Sequence, residues 1–246
     1  MKAPDKIPGK LYDQYTMGGE IPIEYKYAND CSDEIQELIN NNYTKEIFDE
    51  SVQRIKRQEQ NYYGVTDSWM YHALEKYPIK GKDVCIVGST HPWYEAMMIT
   101  YGAKSCTVIE YSPRVSFHEG ITYKQPHEVG DEKYDVCISI SSYEHDGLGR
   151  YGDPLDPDGD LKAMKKTKTF VKNDGLLYLS VPIGNDKVVF NLHRVYGRKR
   201  FSMLIDEWEK VDDFGFDLKE TWDNDYNGVH GSPYQPIAIL KNTCKN

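Results

Sequence analysis

The sequence predicts an α/β protein: a mainly parallel sheet with helices on both faces, preceded by an N-terminal helical and irregular extension. Two observations predict it. From residue 83 onward, apolar runs of strand length alternate with segments whose apolar residues recur at helical spacing, and such alternation implies right-handed crossovers between parallel strands. The length, 246 residues, fits one ordinary α/β domain with an appendage, or at most two small domains, and neither an internal repeat nor a low-complexity tract is visible. The composition shift places the extension at residues 1–80 and the α/β domain at 81–246.

Residues 1–30 carry Pro4, Pro8, Pro22 and the Gly18-Gly19 pair with no sustained period, so an irregular arm is expected. Ser32 caps a helix carrying Ile35, Leu38 and Ile39, and Thr44 caps a second carrying Phe48, Val52 and Ile55. Asp67 is placed to cap a third, with Trp69, Met70, Ala73, Leu74 and Tyr77 on its apolar face and Pro78 as its stop. Asp83 to Val87 reads as a strand and Pro92 to Tyr101 as a helix ended by Gly102. Strands follow at Thr107 to Ile109, Ile121 to Tyr123 and Tyr134 to Ile140. Helix Leu161 to Val171 leads through the turn signal Asn173-Asp174-Gly175 into strand Leu176 to Val181, and helix Phe201 to Lys210 and strand Ile237 to Leu240 finish the chain.

Hydrophobic residues make up 39% and charged residues 28%, and no run approaches the roughly 18 to 20 apolar residues of a membrane helix. The start, MKAPDKIPGK, has no apolar segment of secretory type, so a soluble, cytoplasmic protein is expected. Thirty basic against thirty-nine acidic side chains give a net charge of -9, which argues against a nucleic-acid partner. The five cysteines (Cys31, Cys85, Cys106, Cys137 and Cys244) form no C-x-x-C pair; three lie in strand-like runs and read as reduced core residues.

In a parallel sheet of this kind ligands bind beyond the carboxyl ends of the strands. Gly88-Ser89-Thr90-His91-Pro92-Trp93 follows the first run: Gly88 allows a sharp turn, Pro92 suits the first helical position, and loop N–H groups with the Ser89 or Thr90 hydroxyls would face the cleft. A turn of this kind also joins strands to helices where no ligand binds. The dinucleotide and phosphate-loop glycine patterns are both absent. Glu110 ends the second strand 22 positions after Gly88, where a carboxylate can accept both hydroxyls of an adenosine ribose. Ser141-Ser142-Tyr143-Glu144-His145-Asp146 follows the fourth strand and brings a carboxylate, an imidazole and hydroxyls to the cleft mouth; histidine suits general-base work near neutral pH.

The segment from Gly147 to Asp160 combines glycines, prolines, acids and Arg150. Asp156-x-Asp158-x-Asp160 opens like a calcium loop, but Thr167 occupies the position of the bidentate Glu and Leu161 that of the glycine, so no such loop is expected. Two readings remain open: an acidic turn with Asp160 as helix cap, or a lid in which Arg150 and Asp153 touch substrate. Beyond the fifth strand His193 and Arg194 are within reach of a substrate, and Arg198-Lys199-Arg200 reads as a solvated basic triplet.

Over residues 80 to 241 the chain resembles class I S-adenosylmethionine-dependent methyltransferases. The resemblance is carried by Val84-Cys85-Ile86-Val87-Gly88 with Glu110, by Tyr134-Asp135-Val136 leading to Ser141-Ser142-Tyr143-Glu144-His145, and by Asn173-Asp174-Gly175-Leu176-Leu177. More narrowly, Glu144 to Pro154 resembles the branch known as domain of unknown function 268. Thr90 and Pro92 stand where the superfamily commonly has further glycines. The resemblance implies a Rossmann-like fold, S-adenosylmethionine as cofactor, and Gly88, Ser89, Trp93, Glu110, Tyr111, Ser141 and Ser142 as its contacts. A sulfonium methyl is already activated, so transfer needs an acceptor held in line at about 3 to 3.5 Å, water excluded, and a base for an alcohol. His145, His193 and Glu144 are the candidates for that chemistry; Arg150, Tyr151, Asp153 and Arg194 are the candidates for acceptor binding. The expected activity is O-methylation of a sugar, nucleotide-linked or a surface-glycan precursor, by a chain with no membrane span; a homo-oligomer is left open. Alternatives are a non-catalytic binding module and a metal-dependent sugar enzyme using Asp153, Asp156 and Asp158, although no metal site is assigned.

Overall fold

Residues 2–114, 116–216, 221–222 and 234–243 are described by the computed structural model. The extension supplies α1 (Gly9–Tyr15), β1 (Ile23–Lys26), α2 (Asp33–Asn40), α3 (Lys45–Lys56) and α4 (Val65–Lys76). Then come β2 (Asp83–Val87), α5 (Trp93–Thr100), β3 (Ser105–Ile109), β4 (Ile121–Lys124), β5 (Tyr134–Ile140), α6 (Gly159–Phe170) and β6 (Val171–Ser180). The chain ends with β7 (Lys187–Asn191), β8 (His193–Val195), α7 (Arg198–Leu204), β9 (Glu209–Phe214) and β10 (Ile237–Lys241). Among the described residues no helix is long and apolar enough to cross a membrane.

The main sheet has the order β4-β3-β2-β5-β6-β10-β9. β10 runs antiparallel to both β6 and β9, and the remaining pairings are parallel. Period-two alternation decides its two faces: Val84, Ile86, Val136 and Ile138 pack with Met70, Leu74 and Met97 under α3, α4 and α5. Cys85, Cys137, Leu177 and Leu179 pack with Phe170 and Phe201 under α6 and α7. A sheet covered on both faces has this near-continuous apolar strand composition. Cys85, Cys106 and Cys137 are buried free thiols and Cys31 is half-buried; Cys244 lies outside the described residues.

Several boundaries differ from expectation for identifiable reasons. The first thirty residues are not wholly irregular: α1 and β1 form, and Ile7, Tyr15 and Ile21 pack on Val188 and Phe190 of a second sheet, β1-β7-β8. The Ser32 and Thr44 caps accept from Ile35 N at 3.4 Å and Ile47 N at 3.3 Å. Asp67 is not a cap: α4 starts two residues earlier, after Gly64, and the buried Asp67 carboxylate accepts from Asn61 N (2.7 Å), Trp93 Nε1 (3.1 Å) and Tyr94 OH (2.9 Å). It joins α4 to α5. Pro92 precedes the first turn of α5 instead of occupying it. Asn173-Asp174-Gly175 is an irregularity inside the long β6, with Asp174 at φ 61°. The last helix stops at Leu204, because Glu209 and Lys210 pair with β10.

Asp160 does not cap α6 either. Fully buried, it pairs with Arg200 and lies 3.7 Å from Arg194 Nε, and it accepts from Tyr196 OH at 3.0 Å. Arg200, expected in solvent, is 5% exposed. Asp160→Ala leaves the buried Arg194 without its counter-charge and Arg200 with only the more exposed Asp158, 3.4 Å away, and the expected cost is about 3 to 5 kcal/mol, read as a lower urea midpoint at unchanged slope.

Candidate active site

The strand order turns outward in opposite directions from β2 and β5, so a crevice opens at their carboxyl ends. A cavity of about 890 Å³ occupies it. Gly88 turns the chain out of β2 at φ +76°, and a Cβ there would lie 2.8 Å from Ser142 Cβ and closer still to its hydroxyl. The turn is thus pressed against the end of β5. Glu110, half-buried at the end of β3, accepts from Ser89 N at 2.9 Å through Oε2 and from Ser112 N at 3.3 Å through Oε1. Burial pushes its pKa above the usual carboxylate range against the pull of those N–H groups and of Arg114. Each carboxylate oxygen has two lone-pair sites, so both retain accepting capacity. The Ser89 hydroxyl does not face the cleft as expected; it is engaged by Glu95 and Tyr43 at 2.7 Å each.

At the β5 end, Ser141 adopts φ +53°, and its hydroxyl donates to Glu144 and accepts from Gln235 Nε2 at 3.1 Å. A single 3₁₀ turn, Tyr143–His145, then sets two titratable groups side by side. Glu144 is 1% exposed; burial pushes its pKa up to about 7, with the Ser141 hydroxyl, Arg150 and Arg194 pulling it down. Its Oε2 has no partner among the described residues. His145 Nδ1 is 2.7 Å from the Leu192 carbonyl. A carbonyl only accepts, so Nδ1 carries the proton and Nε2, 3.7 Å from Glu144 Oε1, carries the lone pair. Burial, followed by the Arg150 charge, holds the His145 pKa well below the usual histidine value. His193 stands 6.4 Å away, ring centre to ring centre, its pKa lowered to about 4 by burial and then Arg150.

The segment after His145 is a packed loop. Gly147 at φ +79° sits where a Cβ would strike the Asp156 carbonyl, and Asp153 Oδ2 accepts from Gly147 N (2.7 Å) and Gly149 N (3.1 Å). Arg194 fastens it from below, donating to Asp146 O at 2.6 Å and Pro157 O at 3.2 Å. Arg150 pairs with Asp30 at 2.6 Å and lies over the Tyr151 ring at 5.2 Å.

Of the sequence candidates, Gly88, Ser89, Trp93, Glu110, Tyr111, Ser141, Ser142, Glu144, His145, Arg150, Tyr151, Asp153 and His193 all line this one cavity. Arg194 does not; at 2% exposure its guanidinium is committed to loop carbonyls, so its place is structural. Asp156 and Asp158 are tied to Lys162 and Arg200, and among the described residues no cluster of three His, Cys, Asp or Glu side chains is arranged to hold a metal. The extension supplies walls that no motif announced: Asn42, Asn61, Tyr62 and Tyr63, with Tyr63 stacked on Tyr94 at 6.3 Å. Pro126 and Val129 form an apolar wall with Tyr111, and Lys162 and Lys166 bring the α6 rim.

Many solved structures share this fold, two of them as follows. The Burkholderia thailandensis 1,6-didemethyltoxoflavin-N1-methyltransferase, with bound 1,6-didemethyltoxoflavin and S-adenosylhomocysteine, superposes with a TM-score of 0.52 at 13% identity, covering 83% of this chain and 90% of that one. The complex of the Haloferax volcanii Trm112 methyltransferase activator with a methyltransferase contains a chain matching at a TM-score of 0.50 and 13% identity, covering 80% of this chain and 97% of that one. No curated protein matches the sequence. The family described as Caenorhabditis protein of unknown function, DUF268, matches residues 81–234, a range that holds β2 to β9 and the loop carrying Glu144, His145 and Arg150. The chain belongs to the DUF268 family and has the Rossmann-like fold of class I methyltransferases.

Proposed function

We propose that the chain binds S-adenosylmethionine in this cavity and transfers its methyl group to a hydroxyl of a sugar-type acceptor, with His145 as general base. The observation that carries this reading is the pairing, across one crevice, of a ribose-accepting half (Gly88, Glu110) with a proton-accepting half (Glu144, His145). The residues fit the cofactor: the turn at Gly88 is pressed so close on Ser142 that only glycine fits, which leaves its backbone bare beside the cavity, Glu110 keeps free lone pairs, and Tyr111, Pro126 and Val129 suit a purine face. When bound, S-adenosylmethionine supplies a methyl group activated on a sulfonium.

The chain's own contribution is the proton. The Leu192 carbonyl fixes the His145 tautomer, Nε2 accepts the hydroxyl proton, and the adjacent Glu144 carboxylate stabilises the imidazolium that results. A hydroxyl acceptor is favoured because an unprotonated amine would not require this base. A neutral sugar fits the rim: Arg150 and Lys162 are already paired with Asp30 and Asp156, while Glu144 Oε2 and His193 Nε2 are buried without partners among the described residues and are available to hydroxyl donors.

Two results test this. Glu110→Ala is expected to weaken S-adenosylhomocysteine binding by roughly ten- to a hundredfold, the loss of one charge-assisted hydrogen bond or slightly more, with little change in melting temperature. An unchanged dissociation constant in a folded variant would make Glu110 a strand-end carboxylate and nothing else. For methyl transfer, kcat is expected to rise with pH through about 7 as Glu144 ionises, and Glu144→Gln is expected to lose that limb. A wild-type profile flat across pH 6 to 8 would separate Glu144 from the proton transfer.

A further inference from the structure

We propose that Glu95 is a positioning residue for the cofactor loop: through the Ser89 hydroxyl it holds the turn after Gly88 in the shape that meets S-adenosylmethionine, and Tyr43 of the N-terminal extension secures the same hydroxyl. The proposal rests on the cofactor reading above and deepens it. Beyond Gly88 the loop has no further glycine, so its shape must come from side chains. Ser89 is where they converge. Its N–H donates to Glu110 Oε2 at 2.9 Å, and its Oγ lies 2.7 Å from Glu95 Oε1, 2.7 Å from Tyr43 OH and 3.2 Å from His91 O. A hydroxyl has one proton and two lone pairs. With Tyr43 donating, the Ser89 proton goes to the nearer acceptor, Glu95. One serine is thereby fastened to two carboxylates, Glu110 by its backbone and Glu95 by its side chain.

Glu95 has no structural reason to be acidic. It is 0% exposed on α5, its Oε2 has no partner among the described residues, and an apolar side chain would avoid the desolvation. The titratable and charged groups facing it are Glu110, Arg114, Tyr43, Tyr123 and Cys106. Burial pushes its pKa up to about 7, above the ordinary carboxylate value. A carboxyl raised in this way lowers stability as pH climbs from that ordinary value to about 7, so Glu95→Gln removes a cost and is expected to fold at least as well as the natural chain above neutrality. Retaining an acid here makes sense if the charge-assisted bond to Ser89 is what matters.

Because Glu95 is already fully buried, cofactor binding adds no desolvation to it. Binding then acts through Glu110, whose charge is shared with the ribose hydroxyls and so opposes the Glu95 charge less; this favours the ionised form. Affinity for S-adenosylhomocysteine should therefore rise with pH through about 7 in the natural chain.

The test is calorimetric titration with S-adenosylhomocysteine at pH 6, 7 and 8, with melting temperatures in parallel. Glu95→Leu and Ser89→Ala are each expected to weaken binding by about tenfold, the worth of one charge-assisted hydrogen bond. The double variant should be no weaker than Ser89→Ala alone, because both remove the same link. Glu95→Gln, which keeps an acceptor, should stay within about threefold at pH 6 and show less of the rise with pH. Folded Glu95→Leu binding as tightly as the natural chain, additive losses in the double variant, or an unaltered pH dependence in Glu95→Gln would each overturn the proposal. If Glu95→Leu does not fold, Ser89→Ala and the Glu95→Gln pH profile decide. Absence of binding by the natural chain is a different result: it removes the cofactor reading, and this inference with it.

Discussion

His145→Ala is expected to lower the rate of methyl transfer by about 10²- to 10⁴-fold, the usual span for loss of a general base, while S-adenosylhomocysteine affinity stays within about threefold. The split follows from position. His145 lies beyond the end of β5 with Nδ1 on the Leu192 carbonyl and Nε2 beside Glu144, whereas Gly88 and Glu110, which carry the cofactor reading, are at the ends of β2 and β3. Its lowered pKa keeps the imidazole neutral near neutral pH, so Nε2 is ready to accept, and Glu144 offsets the weak basicity by stabilising the charged product. The check is the rate of labelled methyl transfer to a panel of hydroxylated acceptors, compared with calorimetric affinity. A native rate in His145→Ala would move the base to His193, and native rates in both variants would mean that the acceptor needs positioning alone.

Gly88→Val is expected to abolish cofactor binding. At φ +76°, with Ser142 Cβ 2.8 Å from where a Cβ would stand, a β-branched residue meets two obstacles at once: the left-handed backbone and the end of β5. Relief requires the loop to leave Ser142, which carries Ser89 N–H away from Glu110. A folded chain with a lowered melting temperature, from about 1 to 3 kcal/mol of strain, and no saturable binding is the expected pairing of results; normal affinity would place the ligand away from this turn.

The sheet was readable because each inner strand is an apolar run closed by a distinctive residue. Asp83–Val87 and Tyr134–Ile140 carry the boundaries read from the sequence, and the residues following them, Gly88 and Ser141, line the cavity. The second sheet was not read, although Val188-Val189-Phe190 is an apolar run of strand length; its partner β1 is distant in sequence and bounded by Pro22 and scattered tyrosines, and no local pattern announces a parallel pairing across that separation. Long-range burial explains the other differences. Asp67 and Asp160 look like caps because an acid before a helical pattern usually caps it, yet each is drawn inside by partners that sequence spacing does not reveal: Trp93 and Tyr94 for one, Arg200 and Tyr196 for the other. Arg194 looked available for the same reason. Tyr63 and Asn61 reach the cavity from a loop without a motif, and only the packing of α3 and α4 on the sheet brings them there. Glu95 did leave a signal: it lies opposite the face formed by Trp93, Ala96 and Met97, yet its helical neighbours Met98 and Ile99 are apolar as well, so the helix has no polar face to carry the acid into solvent.

The central claim, that the crevice between β2 and β5 holds S-adenosylmethionine, is tested most directly by titrating the purified chain with S-adenosylhomocysteine in a calorimeter. The expected result is saturable binding of one ligand per chain, lost in Gly88→Val and weakened in Glu110→Ala. No saturable heat up to millimolar ligand would contradict the claim and leave a methyltransferase-type fold serving as a non-catalytic binding module.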